Sequence, residues 1–215
     1  MSSSRRPVPF IWATWLAPLL AETNACVWSA WFRAHHHFRK VSAFNDPTWH
    51  IEHDALVVAA ADGLKEDGFQ VTVEVDNRFV LTSNGISLSG RPDLVAVRSD
   101  RVVIMDCKSG SRRPAHRFQL LIYMVVLPCV RPELKGRDIE GLIQYRDEFV
   151  SIPSDAVTPE FRQALRTTIH AVGLPTPPRK SPSAAECQFC PVREEDCPER
   201  IEISEIVAVT DHGLF

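Results

Sequence analysis

Two aspartates near the middle of the sequence stand at the ends of two apolar runs. Asp93 comes directly before Leu94–Val97, and Asp106 comes directly after Val102–Met105. Both runs are apolar at every position, which is typical of strands that are buried on both faces of a sheet. Carboxylate oxygens are the ligands that Mg²⁺ prefers, so the two aspartates predict a metal site if the fold brings them together.

The short segment between the two runs predicts that they do meet. A two-residue turn at Ser99-Asp100 makes the runs a hairpin and sets Asp93 directly opposite Asp106. Directly opposed side chains on one sheet face have β-carbons roughly 4.5–5.5 Å apart, and like charges at that distance are destabilising. A cation bound between the carboxylates removes this repulsion.

The residues that follow Asp106 add further polar groups to the same place. Side chains alternate along a strand, so Lys108 points the same way as Asp106, whereas Cys107 points into the core. Pro114 suits the first turn of a helix, on which Gln119 and Tyr123 share one face that we expect to look back at the carboxylates. A lone D-x-K occurs by chance in chains of this size, and only the combination is informative.

The combined pattern resembles the PD-(D/E)XK nuclease superfamily, in particular its RecB-type and CRISPR-associated exonuclease branch. The resemblance implies that Asp93 and Asp106 hold Mn²⁺ or Mg²⁺, with the main-chain carbonyl of Cys107 as a further ligand. It also implies that Lys108 orients the attacking water and stabilises charge in the transition state. Two more site residues follow from it, as groups that position the phosphate backbone: Gln119 and Tyr123.

A helix before the first strand is expected to complete the metal site. Asn45–Pro47 is a helix-start signature, and the helix should run to about Gly63 or Gly68. It carries His53 on an apolar stripe, where a histidine is more often a core residue than a ligand. In the family, however, this helix presents a metal-binding histidine, for which His53 is the best match and His50 the alternative.

The predicted order of elements matches the core of that superfamily. Gln70–Leu81 alternates as a strand with one polar face, where Glu74 is a candidate for the outer shell of the metal site. Asn84-Gly85 predicts a hairpin turn, and a further strand is expected near Ile139–Arg146. We therefore expect an α/β fold with a mixed central β-sheet flanked by helices, in the restriction-endonuclease-like order α-β-β-β-α-β.

Segments on either side of this core complete the expected organisation. Residues 1–45 should form a helical N-terminal segment, 46–172 the nuclease core, and 173–215 a proline-rich linker with a C-terminal cysteine module. A helix is expected at Pro159–Ala171 in the core and an edge strand at Glu199–Ile206 in the module.

The N-terminal segment itself combines apolar and basic stretches. Met1–Arg6 is polar and expected to be disordered. Phe10–Ala21 resembles a signal peptide superficially, but it is too short to span a bilayer and a second aromatic stretch follows at Cys26–Phe32. We interpret the two stretches as a buried helix pair. His35–His37 cannot share one helical face, and it is interpreted as a basic, DNA-facing surface.

Three clustered cysteines, Cys187, Cys190 and Cys197, indicate a second metal centre. Tetrahedral zinc and iron-sulfur cubanes both take four ligands, and Cys26 is the natural fourth. The RecB-type and CRISPR-associated exonucleases that carry a [4Fe-4S] cluster also have one cysteine before the core and three after it. The family usually has five residues between the second and third C-terminal cysteines, whereas this chain has six, Pro191–Asp196. That difference leaves Zn²⁺ open as the alternative.

The other two cysteines, Cys107 and Cys129, lie in apolar surroundings and are expected to be small core residues. Unpaired thiols near a metal centre imply a reducing, cytoplasmic compartment.

Composition limits how the chain could attract nucleic acid. The 215 residues are 45% hydrophobic and 24% charged, and the net charge of -3 gives no overall attraction to phosphate. Binding must therefore use a local patch, which Arg112, Arg113 and Arg117 supply after Lys108. No stretch is long and apolar enough to be a transmembrane segment.

The resemblance as a whole implies a metal-dependent DNA exonuclease acting on single-stranded or frayed ends, with partner proteins of a DNA repair or CRISPR adaptation pathway. Two other interpretations stay open. One is a nucleic-acid-binding scaffold that has lost catalysis, although none of the acidic or lysine positions is missing. The other is an electron-transfer iron-sulfur protein, which leaves the paired carboxylates without a purpose. The sequence leaves open whether the enzyme is an exonuclease or an endonuclease and whether it prefers DNA or RNA. It also leaves the oligomeric state open.

Overall fold

The computed structural model describes residues 3–24, 26–40 and 47–201, with side chains described from residue 50 onward in the last range. Asn45, Asp46 and most of the expected edge strand Glu199–Ile206 lie outside these ranges. Within them, no helix is long and apolar enough to cross a membrane.

The described part of the chain contains six α-helices and ten strands. The helices are α1 Ala13–Leu20, α2 Val27–His35, α3 Pro47–Glu66, α4 Pro114–Val130, α5 Pro159–Gly173 and α6 Ala184–Gln188. The strands are β1 Ser4–Arg5, β2 Phe10–Trp12, β3 His36–His37, β4 Gln70–Val73, β5 Phe79–Ser83, β6 Ile86–Gly90, β7 Leu94–Val97, β8 Val102–Lys108, β9 Ile139–Tyr145 and β10 Phe149–Ile152.

The central sheet has five strands in the order β10-β9-β8-β7-β4. β8 and β9 are parallel and are joined through α4, whereas the other neighbouring pairs are antiparallel. The strands of this sheet and the helices α3 and α4 give the predicted α-β-β-β-α-β order, so the expected mixed α/β fold is confirmed.

The hairpin that carries the two aspartates has the predicted register. Leu94 pairs with Met105 and Val97 with Val102. The main-chain nitrogen of Arg98 donates to the carbonyl of Arg101 at 2.9 Å, which closes the two-residue turn. Continuing this register by one residue beyond Leu94 and Met105 sets the two aspartates opposite each other.

The two faces of the central sheet pack against different helices. Met105 and Cys107 belong to an apolar cluster with α3 residues such as Val57. Ile104 belongs to the larger core, which includes Leu120 on α4. Because alternate residues of β8 face opposite sides, Asp106 lies on the α4 side of the sheet.

A second sheet, in the order β2-β6-β5, lies beside the first. The Asn84-Gly85 turn joins β5 to β6, and its two residues have the positive φ angles of 50° and 74° that such a turn requires. β2 pairs with β6 in parallel. The prediction that Phe10–Ala21 is all helical was therefore wrong at its start, because Phe10–Trp12 completes this sheet before α1 begins.

The predicted strand Gln70–Leu81 is interrupted in the middle. Glu74–Asn77 forms a 3₁₀ turn between β4 and β5, and Glu74 has a positive φ of 37°. The side chain of Asn77, fully buried, donates to the carbonyl of Thr72 at 2.9 Å and to that of Asp93 at 3.3 Å. These tertiary hydrogen bonds stabilise the turn, and the hydrophobic pattern does not reveal them.

The ends of the core also differ from expectation in detail. Ser4–Arg5 is ordered as β1 against β3, so the expected disorder of Met1–Arg6 was wrong for these two residues. The helix expected at Pro159–Ala171 is present as α5 and ends two residues later. Cys129 is exposed at the end of α4, which corrects its assignment to the core, whereas Cys107 is fully buried as expected.

Candidate active site

Asp106 is the most deeply buried carboxylate of the candidate site, with 1% of its surface exposed. Its Oδ1 accepts a hydrogen bond of 3.1 Å from Gln119 Nε2. Its Oδ2 contacts the ammonium of Lys108 but accepts no hydrogen bond of acceptable geometry. Burial raises the pKa of Asp106 to about 6, although Lys108 opposes this shift. The ion pair with Lys108 is therefore what holds this oxygen.

Asp93 stands across the hairpin and is held by the backbone of β8. Its Oδ2 accepts a hydrogen bond of 2.6 Å from the main-chain nitrogen of Cys107. The same oxygen lies 3.4 Å from Nε2 of His53, which comes from α3. The fold thus brings two strands and one helix together at Asp93.

His53 has two sets of acidic neighbours. The hydrogen bond to Asp93 raises its pKa, with burial acting in the opposite direction. One potential ligand atom from each of His53, Asp54 and Glu74 lies within 4.8 Å of the others, the one such group of three among the described residues. Asp54 is largely exposed, whereas Asp93 and Asp106 are buried. Buried carboxylates gain more from a bound cation, which favours the Asp93 and Asp106 pair.

Lys108 and two α4 residues close the α4 side of the site. Lys108 Nζ donates to Oε1 of Gln119 at 3.4 Å, and Gln119 Nε2 donates to the Tyr123 hydroxyl at 3.0 Å. Burial lowers the pKa of Lys108, but the neighbouring Asp106 more than compensates and the net shift is upward. Burial raises the pKa of Tyr123. Both groups are therefore protonated donors at neutral pH.

These residues line one open cavity of about 430 Å³. His50, the alternative to His53 as a metal ligand, and Glu74, the candidate for the outer shell, also lie on its wall. Four lining residues were not predicted: Trp12, Thr14, Asp54 and Arg91. Trp12 arrives through the parallel pairing of β2 with β6, and no local sequence signal marks a contact across so many residues.

The predicted basic patch is not part of this wall. Arg112 forms an ion pair with Glu148 and stacks over Tyr145 at 5.6 Å. Arg113 and Arg117 are exposed, and none of these three arginines is among the described residues that line the cavity. Their contact with nucleic acid stays a prediction.

The histidine run His35–His37 is only partly a surface. His35 is buried, stacks on Trp31 at 4.7 Å, and its Nε2 lies 3.1 Å from the carbonyl of Val172. Burial lowers its pKa, so His35 is neutral at pH 7 and the expectation of a basic surface is wrong for this residue. His37 is exposed on β3 and fits that expectation better.

The four cysteines of the predicted second centre line one small cavity of about 80 Å³, space for several water-sized groups. Cys26 lies directly before α2, and the C-terminal segment supplies the other three: Cys187, Cys190 and Cys197. In the described part of the chain, no three sulfurs lie within 4.8 Å of one another. A zinc ion with Zn–S bonds of about 2.3 Å would bring the sulfurs to about 3.8 Å from one another.

A buried cation accompanies the cysteines. Arg33 lines the same cavity, and its Nε is buried without a hydrogen-bond partner. Burial lowers its pKa to about 10, and Cys190 shifts it upward. A guanidinium in this position fits an anionic centre built from thiolates. The residues present thus combine four sulfur ligands with one buried guanidinium at the predicted centre.

Comparison with known proteins agrees with this architecture. The profile of the PD-(D/E)XK nuclease superfamily matches residues 15–195, and the chain belongs to that superfamily. Among solved structures, the crystal structure of SSO0001 aligns with a TM-score of 0.44 and 17% identity, covering 87% of this chain and 85% of that one. That similarity is too low to support an argument about function. No curated protein matches the chain significantly.

Proposed function

We propose that the protein is a metal-dependent deoxyribonuclease, an exonuclease that hydrolyses single-stranded or frayed DNA ends. Membership of the PD-(D/E)XK superfamily suggests nuclease activity in general. The observation that supports metal dependence is the pair of buried carboxylates, Asp93 and Asp106, which stand opposite each other across the hairpin. Asp93, Asp106, the Cys107 carbonyl and His53 would hold Mg²⁺ or Mn²⁺. When bound, such a cation polarises the phosphate and lowers the pKa of a water.

The protein's own groups then supply positioning and charge. Lys108, protonated beside Asp106, orients the attacking water and donates to the phosphate oxygens as negative charge develops. Gln119 fixes the carboxylate of Asp106 and links it to the hydroxyl of Tyr123. Tyr123 holds Gln119 in place, so the two act as a rigid pair beside the phosphate backbone.

The cavity wall supports a single-stranded substrate. Trp12 is half-buried on that wall, with the guanidinium of Arg78 5.7 Å from its ring, and Arg91 lines the same space. Aromatic rings that stack on bases beside backbone-binding cations are the usual means of holding single strands without sequence preference. A base inside a duplex is stacked on both faces and offers none to such a ring, so this wall would favour single strands and frayed ends.

The cysteine centre is proposed to be a structural [4Fe-4S] cluster, with Zn²⁺ as the alternative. The support for iron-sulfur is the distribution of the ligands, one cysteine before the core and three after it, together with the buried Arg33 beside Cys190. Four ligands from both ends of the chain would tie α2 to the segment after α5. Such a centre contributes its binding free energy directly to folding.

The test of function is a cleavage assay on four substrates, namely linear single-stranded, linear duplex, frayed duplex and circular single-stranded DNA. With Mg²⁺ or Mn²⁺, the linear single strand and the frayed end should be degraded and the circle should persist. Cleavage of the circle, which has no end, would show that the protein is an endonuclease rather than an exonuclease. Binding without cleavage of any substrate would favour the catalytically silent scaffold.

A further inference from the structure

A second cavity, of about 520 Å³, lies at the opposite end of β2 from the candidate active site. Pro9, directly before β2, lines this cavity, and Trp12, the last residue of β2, lines the active-site cavity. A strand rises about 3.3 Å per residue, so these two residues are about 10 Å apart along the chain. That distance is within the reach of a few nucleotides of one strand.

The wall of this second cavity is basic. Arg5, Arg6, His35 and His170 line it, its positive charge lies on the two arginines because the buried His35 is neutral, and no aspartate or glutamate lines it among the described residues. None of the ion pairs in the described ranges involves Arg5 or Arg6. We define these lining residues as the basic cavity. It combines positive charge with concave shape, as an anion site requires.

The fold explains how two arginines can be gathered there. α2 ends at His35, whose carbonyl accepts from the main-chain nitrogen of Arg6 at 2.7 Å. α5 ends at Gly173, and Arg5 Nη2 donates to the carbonyl of Pro175 just beyond it at 3.3 Å. Each helix C-terminus carries roughly half a negative charge. Two helix ends therefore offset about one of the two guanidinium charges, and the basic cavity keeps a net positive charge.

One donor in this cavity has no acceptor. The Nε of Arg6 is buried and makes no hydrogen bond, while its Nη1 lies 3.3 Å from Nε2 of His37. Because this Nε is closed to solvent, an anion in the cavity would accept from the Nη groups of the exposed Arg5 and the half-buried Arg6. Phosphate oxygens suit the planar guanidinium because two N–H groups can donate to them side by side.

We propose that the basic cavity binds a backbone phosphate of the same DNA strand whose end lies at the active site. This proposal rests on the proposed function and extends it. Arg5 and Arg6 would anchor the strand upstream or downstream of the scissile phosphate, and the strand would run along β2 past Trp12. The anchor makes cleavage depend on substrate length, because a strand too short to reach the basic cavity loses the contact.

The test uses oligonucleotides in which one phosphate at a time is replaced by a neutral methylphosphonate. Affinity is measured by fluorescence anisotropy in chelator, so cleavage plays no part. The wild-type protein should lose at least about fivefold in affinity when one particular phosphate, a few nucleotides from the bound end, is neutral. In Arg6→Gln the same replacement should have no effect. Arg166→Gln, which removes one charge from α5 outside the basic cavity, is the matched control and should keep the position-specific loss.

A separate measurement covers the case in which Arg6→Gln does not fold. In Arg5→Gln, the slope of log affinity against log salt should fall by about 0.7, the value for one phosphate contact with a single strand. Inorganic phosphate should compete with the oligonucleotide in the wild type more strongly than in Arg5→Gln. The proposal is overturned if no single methylphosphonate position matters, or if both arginine variants match Arg166→Gln. Absence of any oligonucleotide binding would instead contradict the proposed function.

Discussion

The carboxylate of Asp93 accepts a hydrogen bond of 2.6 Å from the main-chain nitrogen of Cys107, on the neighbouring strand. This bond lies beyond the last ladder pair of β7 and β8, Leu94 with Met105. It replaces a backbone partner that β7 no longer provides, and it fixes the position of one aspartate relative to the segment that carries the other. The proposed metal site is thus built from the end of a hairpin rather than from a flexible loop.

The pH dependence of stability should report the burial of Asp106. Its pKa is raised from 3.8 to about 6, so the folded protein holds this proton over a range in which the unfolded chain has lost it. Stability contributed by the protonated carboxyl is complete below pH 4 and is lost as pH rises through about 6. In chelator, the stability of wild type minus that of Asp106→Asn should therefore fall by on the order of 3 kcal/mol between pH 4 and pH 7.

The measurement is urea unfolding of both proteins at several pH values. Asp62→Asn, which removes an exposed carboxylate on α3, is the control and should show no such trend. A difference between wild type and Asp106→Asn that is constant with pH would mean that Asp106 has an ordinary pKa.

Metal preference should depend on His53. Imidazole binds manganese more readily than magnesium, which prefers carboxylate and water. The wild type should therefore work at least as well with Mn²⁺ as with Mg²⁺, and His53→Ala should lose more activity with Mn²⁺ than with Mg²⁺. Parallel metal titrations of cleavage rate measure this. The same experiment on His50→Ala distinguishes the two histidines, because an unchanged preference in His53→Ala and a changed one in His50→Ala would move the ligand to His50.

Trp12 should control affinity for single strands. Stacking of one base on an aromatic ring contributes about 1–3 kcal/mol, so Trp12→Leu should weaken binding of a single strand by roughly 5- to 160-fold. Trp12→Phe should restore part of the loss. Anisotropy titrations with single-stranded and blunt duplex DNA provide the measurement. Equal losses on both substrates would show that Trp12 supports the fold without contacting a base.

The cysteine centre should be essential for folding. Single changes to alanine at Cys26, Cys187, Cys190 or Cys197 should give colourless protein that aggregates or is quickly digested by protease. Cys129→Ala, at an exposed thiol, is the control and should behave as wild type. Anaerobically purified protein should be brown and contain about four irons per chain. Protein with one zinc per chain would contradict the iron-sulfur cluster and support the four cysteine ligands. Folded, metal-free protein would contradict both the cluster and the ligand assignment.

The sequence predicted the features that depend on local chemistry. The Ser99-Asp100 turn and the alternation along β8 were sufficient to set Asp93 opposite Asp106 and to turn Cys107 away from both. The i, i+4 spacing likewise placed Gln119 and Tyr123 on one face of α4, toward the carboxylates.

Features that depend on tertiary contacts could not be predicted in this way. Trp12 reaches the cavity because β2 pairs with β6, and a stretch that reads as the start of a helix becomes a strand through that pairing. The turn at Glu74 depends on the side chain of Asn77, which bonds to two distant carbonyls. His35 is buried because α5 ends beside it, which its sequence neighbours do not indicate.

The most direct test of the central claim is the single-turnover cleavage rate of an end-labelled single strand in Mn²⁺, for wild type, Asp106→Asn and Lys108→Ala. The cation and the lysine each act on the reacting phosphate, so both variants should lose at least about 100-fold in rate while still binding the strand. Wild type in excess chelator should be equally inactive. Near wild-type cleavage by either variant, or sustained cleavage in chelator, would contradict the assignment of this site.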